Sequence, residues 1–331
     1  MDSQVDARQA VWSRYWSHGA AHSCGGSYGN RYEGALADVW RAAFAALAPG
    51  ARLLDIATGN GPLPRLLLDF DAGGTSSCDA VDLAALAPAW VGDLAPDQRA
   101  RVRFHGNQPA ETLPFATASF DVVMSQYGLE YTDLARTVPE LLRVLKPDGQ
   151  VHLVLHHAQA RPVVLAQAEL EHLAWLGRPD GLLDTVAALM PALELAGSEA
   201  GRARLAGDAA ANAARARFNA LQSEATALAA ASSCPDVLLE TREDLAGILN
   251  LTMAHGAAAG RDALSRMRAD LDDSALRLSE LRQYALDEQR ARALCAALAG
   301  SAGQGTLALL EDQGQLMGWS IRVARAPAPH V

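Results

Sequence analysis

One ten-residue stretch, Leu53-Leu54-Asp55-Ile56-Ala57-Thr58-Gly59-Asn60-Gly61-Pro62, constrains what this chain can fold into more than any other. A short apolar run suited to a buried strand passes into a turn of small residues, and Pro62 stands where proline suits the first helical position. A strand, turn and helix in this order open a βα unit, and such units build parallel sheets. Small residues let the backbone approach a ligand closely, and the helix start presents N–H donors without intrahelical partners. About twenty residues onward, Asp82 ends the next apolar run, Cys78-Asp79-Ala80-Val81-Asp82, where a carboxylate can accept both hydroxyls of a ribose. A glycine-bearing turn alone often serves geometry only. Turn and acid together, each at a strand end, point to a bound nucleoside.

Further apolar runs follow at Val102-Arg103-Phe104, Phe120-Asp121-Val122-Val123-Met124 and Val151-His152-Leu153-Val154-Leu155, separated by helix-length segments. They extend the pattern into an α/β fold with a doubly wound, mostly parallel, Rossmann-like sheet over 51–157. Near the end, Thr306-Leu307-Ala308-Leu309-Leu310 and Trp319-Ser320-Ile321-Arg322-Val323 flank Gln313-Gly314-Gln315 and predict a closing antiparallel strand pair. The zone between, 158–300, is rich in alanine, leucine, arginine and glutamate and reads as helix almost throughout. Its breaks fall at Arg178-Pro179-Asp180-Gly181, Ser232-Ser233-Cys234-Pro235 and Gly256, and Thr241-Arg242-Glu243-Asp244 has the form of a capping box before Leu245. Leu264, Met267, Leu271, Leu278, Leu281 and Ala285 follow a three-four spacing, for packing on neighbouring helices or as a dimer seam. About 130 residues is far too long for a connection, so the zone is expected to be an all-helical cap over the sheet's carboxyl edge. Residues 1–50 begin polar and aromatic and turn helical around Leu36 to Leu47. The expected organisation is an N-terminal helical and aromatic lid over 1–50, a nucleoside-binding core over 51–157 and 301–326, and the cap over 158–300.

With 331 residues, half of them hydrophobic and a fifth charged, the chain has ordinary globular composition. A net charge of −10 argues against a nucleic-acid partner, whose phosphates demand cations. No apolar run reaches membrane-spanning length and no basic start precedes an apolar stretch, so neither a membrane span nor a secretory signal is expected. Cys24, Cys78, Cys234 and Cys295 are far apart without a CxxC pair, which fits reduced thiols in the cytoplasm. The nine histidines form neither HExxH nor a cluster with cysteine, so no metal site is expected.

A dinucleotide fingerprint requires three glycines in GxGxxG, whereas this turn reads Ala57-Thr58-Gly59-Asn60-Gly61-Pro62-Leu63. With Asp55 two residues before Ala57, the pattern resembles motif I of class I S-adenosylmethionine-dependent methyltransferases, in the variant with alanine at the first glycine position. Glu111-Thr112-Leu113-Pro114-Phe115 with Ser119-Phe120-Asp121-Val122-Val123 is similar to that family's stretch between strands three and four. Leu142-Arg143-Val144-Leu145-Lys146-Pro147-Asp148-Gly149-Gln150 is similar to its lead into strand five. The resemblance covers about 51–157 and the final strand pair, and leaves out 158–300. It implies S-adenosyl-L-methionine as cofactor, with Ala57, Gly59 and Gly61 facing the methionine part and Asp55 holding its amino group directly or through water. It further implies Asp82 on the ribose, Leu83 against the adenine, and Ala110 and Glu111 at the adenine edge. Many relatives carry an aspartate before that alanine; here Pro109 stands there, and Asn107 or Gln108 takes over its hydrogen bond. Ser125, Gln126 and Tyr127 fall where the family lines the cofactor and the methyl path.

A sulfonium is already an activated electrophile, so methyl transfer needs alignment and a deprotonated nucleophile more than elaborate machinery. His156 and His157 follow the fifth strand at the carboxyl edge, where either is a candidate general base or a packed or solvated residue. Glu130 is a candidate for orienting an amine or taking a proton, or else a carboxylate at a helix start, and Tyr131 stands beside it. Trp12, Tyr15 and Trp16 share a helical face, and with His18, His22 and Tyr28 they form either core packing or a lid over cofactor and substrate, hinged at Gly25-Gly26 and Gly29. The expected function is methyl transfer to the oxygen, nitrogen or carbon of a small, partly apolar molecule, free or carrier-bound. The alternatives are another use of the same cofactor, aminocarboxypropyl transfer or cyclisation, and a non-catalytic scaffold. A monomer, or a homodimer through the helical zone, is expected.

Overall fold

In the computed structural model, which describes residues 2–20, 34–71, 74–301 and 303–325, each apolar run of the core is a strand. After the helices α1 (Asp2–Ser17) and α2 (Gly34–Ala45) come β1 (Arg52–Ile56), α3 (Pro62–Phe70), β2 (Ser77–Val81), the short α4 (Pro96–Ala100), β3 (Val102–His105) and β4 (Phe120–Gln126). Then follow α5 (Leu134–Val144) and β5 (Leu145–Leu155), and the chain closes with β6 (Gln304–Asp312) and β7 (Gln315–Ala324). The strands form one seven-stranded sheet in the order β3-β2-β1-β4-β5-β7-β6. The first five are parallel, and β7 runs antiparallel to both β5 and β6. The order reverses between β1 and β4, which opens the crevice where doubly wound sheets take their ligands. The hairpin is tighter than its sequence suggested. Gln313 and Gly314 alone form the turn, with φ of 49° and 75°, and Gln315 already pairs with Asp312. Two left-handed residues give the twist that suits a two-residue hairpin.

Strand periodicity sends alternate residues to opposite faces. Leu53, Val122, Met124 and Val154 pack on one face against Leu36, Trp40 and Phe44 of α2 and Leu63 and Leu67 of α3. Leu54, Ile56, Val123, Leu153 and Leu155 pack on the other against Leu141 and Val144 of α5 and Leu294 and Leu298 of the helix Glu288–Ala299. Both faces are covered, which is why β1 is buried at four consecutive positions instead of alternating.

Two expected boundaries differ from the structure. The segment 34–45 is core, not lid, because α2 buries Trp40 completely. The chain divides into Met1–Val163 with Glu280–Val331, and Val164–Ser279, so the last stretch of the expected cap belongs to the sheet-bearing unit. The apolar stripe of Ala291, Leu294 and Leu298 fills that unit's core and explains the shift.

The second unit is all helix. Its elements are α6 (Arg161–Leu176), α7 (Leu182–Ala196), α8 (Glu199–Leu205), α9 (Ala209–Ala231), α10 (Asp236–His255) and α11 (Ala257–Tyr284), of which α6 begins and α11 ends in the first unit; α12 is the helix Glu288–Ala299 named above. Leu182, Val186, Met190, Leu238, Leu245 and Leu264 share its core. The three breaks fall where the sequence placed them. The capping box does not form: α10 already starts at Asp236, after Pro235, and Thr241 is a buried mid-helix residue. The expected stripe also splits. Leu264 and Met267 enter the helical core, while Leu281 and Ala285 pack with Ala160 and Val163. No helix among the described residues is long and apolar enough to cross a membrane.

Candidate cofactor and acceptor site

The turn after β1 takes left-handed backbone three times, at Ala57 (φ 55°), Gly59 (φ 56°) and Gly61 (φ 73°). This folds the chain back so that the Gly59 N–H points at Asp82, at the end of β2. Asp82 accepts that N–H at Oδ2 and the Ala84 N–H at Oδ1, both at 2.8 Å. Gly61 caps α3, and a Cβ there would lie 2.5 Å from the Phe104 ring, so glycine is required for packing as well as for φ. Burial pushes the Asp82 carboxyl up to about 6 against the pull of its two N–H partners. Asp55 accepts one hydroxyl, from Thr58 at 2.5 Å, and burial, opposed by that hydroxyl and reinforced by the charge of Asp82, lifts it to about 8.

An open cavity of about 860 Å³, its mouth included, lies along this edge of the sheet. Of the residues expected to meet cofactor or substrate, Ala57, Asp82, Leu83, Ala110, Glu111, Gln126, Tyr127, Tyr131 and Trp16 line it. Others stand behind it. Asp55 is fully covered beneath Thr58, and Ser125 spans the sheet, donating to the Ile56 carbonyl and accepting the Leu129 N–H. Gly59 touches the site through its N–H, and Gly61 serves α3. Asn107 is committed to α1, accepting from Gln9 Nε2 at 2.8 Å, and it is Gln108 that lines the cavity. Tyr15 packs edge-on against Trp12 and Trp16, His18 is exposed, and His22 and Tyr28 lie outside the described residues.

The two histidines part company because neighbours on a strand end face opposite ways. The His156 ring stacks on Tyr127 with centroids 4.4 Å apart, and its Nδ1 lies 2.8 Å from Glu130 Oε1, which also accepts the His156 N–H. Histidine and glutamate are both about 1% exposed, and neither lines the cavity. His157 stacks on Trp319, its Nδ1 accepts the Gln159 N–H, and it faces a separate depression beside Asp287, Glu288 and Arg292. Partial burial lowers its imidazole pKa, opposed by Glu288. Of the four candidates for proton transfer, Tyr131 is the one whose side chain lines the cavity.

Helix α1 forms the cavity's far wall. Asn60 Nδ2 donates to the Trp16 and Ala20 carbonyls, the Ala85 N–H donates to Ser13 Oγ, and a Cβ on Gly59 would lie 2.7 Å from the Trp16 ring. Arg8 and Trp12, which also line the cavity, reach Glu280 in the last turn of α11: Arg8 Nε lies 2.9 Å from Oε1, and Trp12 Nε1 donates to Oε2 at 3.0 Å. Arg8 was missed in the sequence, although its signal was present: 8, 12 and 16 repeat every four residues along one helical face.

The residue set fits an adenosyl cofactor. A buried carboxylate with lone pairs to spare stands at the end of β2, apolar Leu83 and Ala110 stand beside it, and the small turn leaves room at the end of β1. A methyltransferase-domain family matches residues 54–153. The chain is 30% identical over 178 residues to a ubiquinone/menaquinone biosynthesis C-methyltransferase, UbiE, of Ralstonia pickettii, a match covering 48% of this chain and 68% of that one. It is 31% identical over 114 residues to a demethylmenaquinone methyltransferase of Chlorobaculum parvum, and 32% identical over 115 residues to an uncharacterized methyltransferase, YcgJ, of Bacillus subtilis. Each of these two matches spans 34% of this chain and 44% of the relative, less than half its length.

Proposed function

This chain belongs to the class I S-adenosylmethionine-dependent methyltransferases, and from that premise we propose that it transfers a methyl group to a small, partly apolar molecule. The carrying observation is the buried Asp82 carboxylate, clasped by the Gly59 and Ala84 N–H groups in the lining of a cavity walled by Tyr127, Tyr131, Trp12 and Trp16. When bound, the cofactor supplies the activated methyl group. Asp82 takes the ribose hydroxyls, Leu83 and Ala110 cover the adenine, and Ala57 leaves space for the methionine part. Gln126 and Tyr127 stand at the methyl path between β1 and β4, and α1 keeps water from it. The name of the Ralstonia relative, a C-methyltransferase, supports carbon as the acceptor atom, on a ring flat enough to lie against these aromatic walls.

The Glu130–His156 pair positions Tyr127 and Tyr131. With Nδ1 turned to the carboxylate, the imidazole is held in one orientation, and both aromatic rings pack on it. Two measurements test the reading. Titration calorimetry should give micromolar affinity for S-adenosylmethionine and S-adenosylhomocysteine, roughly −7 to −8 kcal/mol. Product analysis should give S-adenosylhomocysteine; methylthioadenosine would mean aminocarboxypropyl transfer instead.

A further inference from the structure

Arg8 is the cation of the cavity wall among the described residues, and its bonding is incomplete. Nε is paired with Glu280 Oε1 at 2.9 Å, but Nη2 is buried and donates to nothing among the described residues, although the residue lines the cavity. The guanidinium lies over the Tyr284 ring at 4.9 Å and the Tyr131 ring at 5.9 Å, and Tyr131 packs on both Trp12 and His156. Through Tyr131 and His156 it is tied to the β4 and β5 ends of the sheet, whereas the ribose acid Asp82 ends β2, on the other side of β1. A buried N–H donor without an acceptor is costly, and guanidinium donors are built for oxyanions.

We propose that Arg8 receives a carboxylate carried by the methyl acceptor, so that the substrate is an aromatic or similarly flat organic acid lying in the cavity against Tyr131 and Trp12. The proposal rests on the methyltransferase reading and names its substrate class. Charge count sets the valence. Glu280 already cancels the charge of Arg8, and Asp82 and Glu111 add two further acidic groups to the same cavity. A monoanion gains the orphaned hydrogen bond at less repulsion than a dianionic phosphate, which would meet a site with no net positive charge among the described residues. The carboxylate has two possible sources, the acceptor and the methionine part of the cofactor, and the order of titration distinguishes them.

The full chain is first titrated with S-adenosylhomocysteine, then, once saturated, with benzoate or benzamide, which share shape and differ in charge. Benzoate should bind at least about tenfold more tightly than benzamide. Arg8→Gln should erase that preference, Arg8→Lys should keep part of it, and both variants should hold S-adenosylhomocysteine within about twofold of wild type. Equal binding of the two probes, or a preference that survives in Arg8→Gln, overturns the proposal. So does an Arg8→Gln protein that loses about tenfold in S-adenosylhomocysteine affinity, since Arg8 would then serve the cofactor's own carboxylate. A wild-type chain that binds no S-adenosylhomocysteine fails at the first titration. It brings down the cofactor reading itself, an outcome distinct from a missing benzoate preference.

Discussion

Two buried carboxylates at the ends of the adjacent strands β1 and β2 behave differently because their hydrogen-bond partners differ. Asp82 accepts two backbone N–H groups and stays near 6, while Asp55 has one hydroxyl and a negative neighbour and rises to about 8. Removing the Asp82 carboxylate should weaken cofactor binding by about 1.5–3 kcal/mol, the worth of charge-assisted bonds to two hydroxyls. Calorimetry on Asp82→Ala checks this, and an unchanged affinity would remove Asp82 from the ribose. Asp55 makes a statement about stability. An unfolded aspartate titrates near 3.9, so between there and about 8 the folded chain binds more protons than the unfolded one, and stability falls as pH rises through that window. The contribution is fully present below about pH 4 and lost above about pH 8. Asn cannot ionise, so Asp55→Asn should flatten the profile and be more stable than wild type at pH 8.5 by roughly 2 kcal/mol or more, given about 1.4 kcal/mol per pKa unit. Urea unfolding at pH 5 and 8.5 measures it, and parallel profiles for the two proteins would refute the assignment. The sequence told where these acids stand, at strand ends, but not that Asp55 would be sealed beneath Thr58. Burial depends on what packs above, and here that is the turn itself.

At the scale of elements, the turn after β1 is adjusted to its surroundings. Ala57 holds φ 55° where glycine would be unstrained, and its Cβ occupies the space a side chain at Gly128 would need, 2.5 Å from the ideal Cβ position there. The β1 and β4 turns therefore share one methyl group between them. Gly128→Ala should cost about 1–3 kcal/mol by overpacking. In the background of Ala57→Gly the same change should cost less than half as much, since the nearest remaining atom is then the residue-57 carbonyl oxygen at 3.0 Å. A double-mutant cycle by denaturant unfolding reads the coupling directly, and additive costs would show that the turns do not touch in solution. Elements whose cause is local were legible beforehand: the strand–turn–helix, the helix breaks and the closing hairpin each carry their own turn chemistry. Elements whose role is decided by a distant partner were not. Leu36, Trp40 and Phe44 look like any amphipathic helix until the sheet face that buries them is known, and Thr241 looks like a cap until Pro235 has already started its helix.

For the whole molecule, chain order is the guide to what the helical unit does. The chain leaves the sheet just after His156 and His157 and enters α6. It returns along α11, whose last turn carries Glu280 and Tyr284 to Arg8, Trp12 and Tyr131. One helix thus begins in the helical unit and ends among residues that hold α1 against the site. Helices are stiff along their axes, so tightening of α1 on a ligand should be felt by the last turn of α11, which carries Glu280 and Tyr284. Segments that close over a ligand come from the less stable parts of a structure, where amide exchange reports opening. Adding S-adenosylhomocysteine, followed by a carboxylate probe, should therefore slow hydrogen exchange in residues 8–17 and 275–284. A cap role for 164–279 further requires slowing in α10 and in the body of α11. Protection confined to 53–61, 82 and 107–127 would mean that neither α1 nor the helical unit closes on the site. The insertion would then be better read as a module for assembling copies of the chain, and sedimentation of the full-length protein at increasing concentration would be the measurement to decide it.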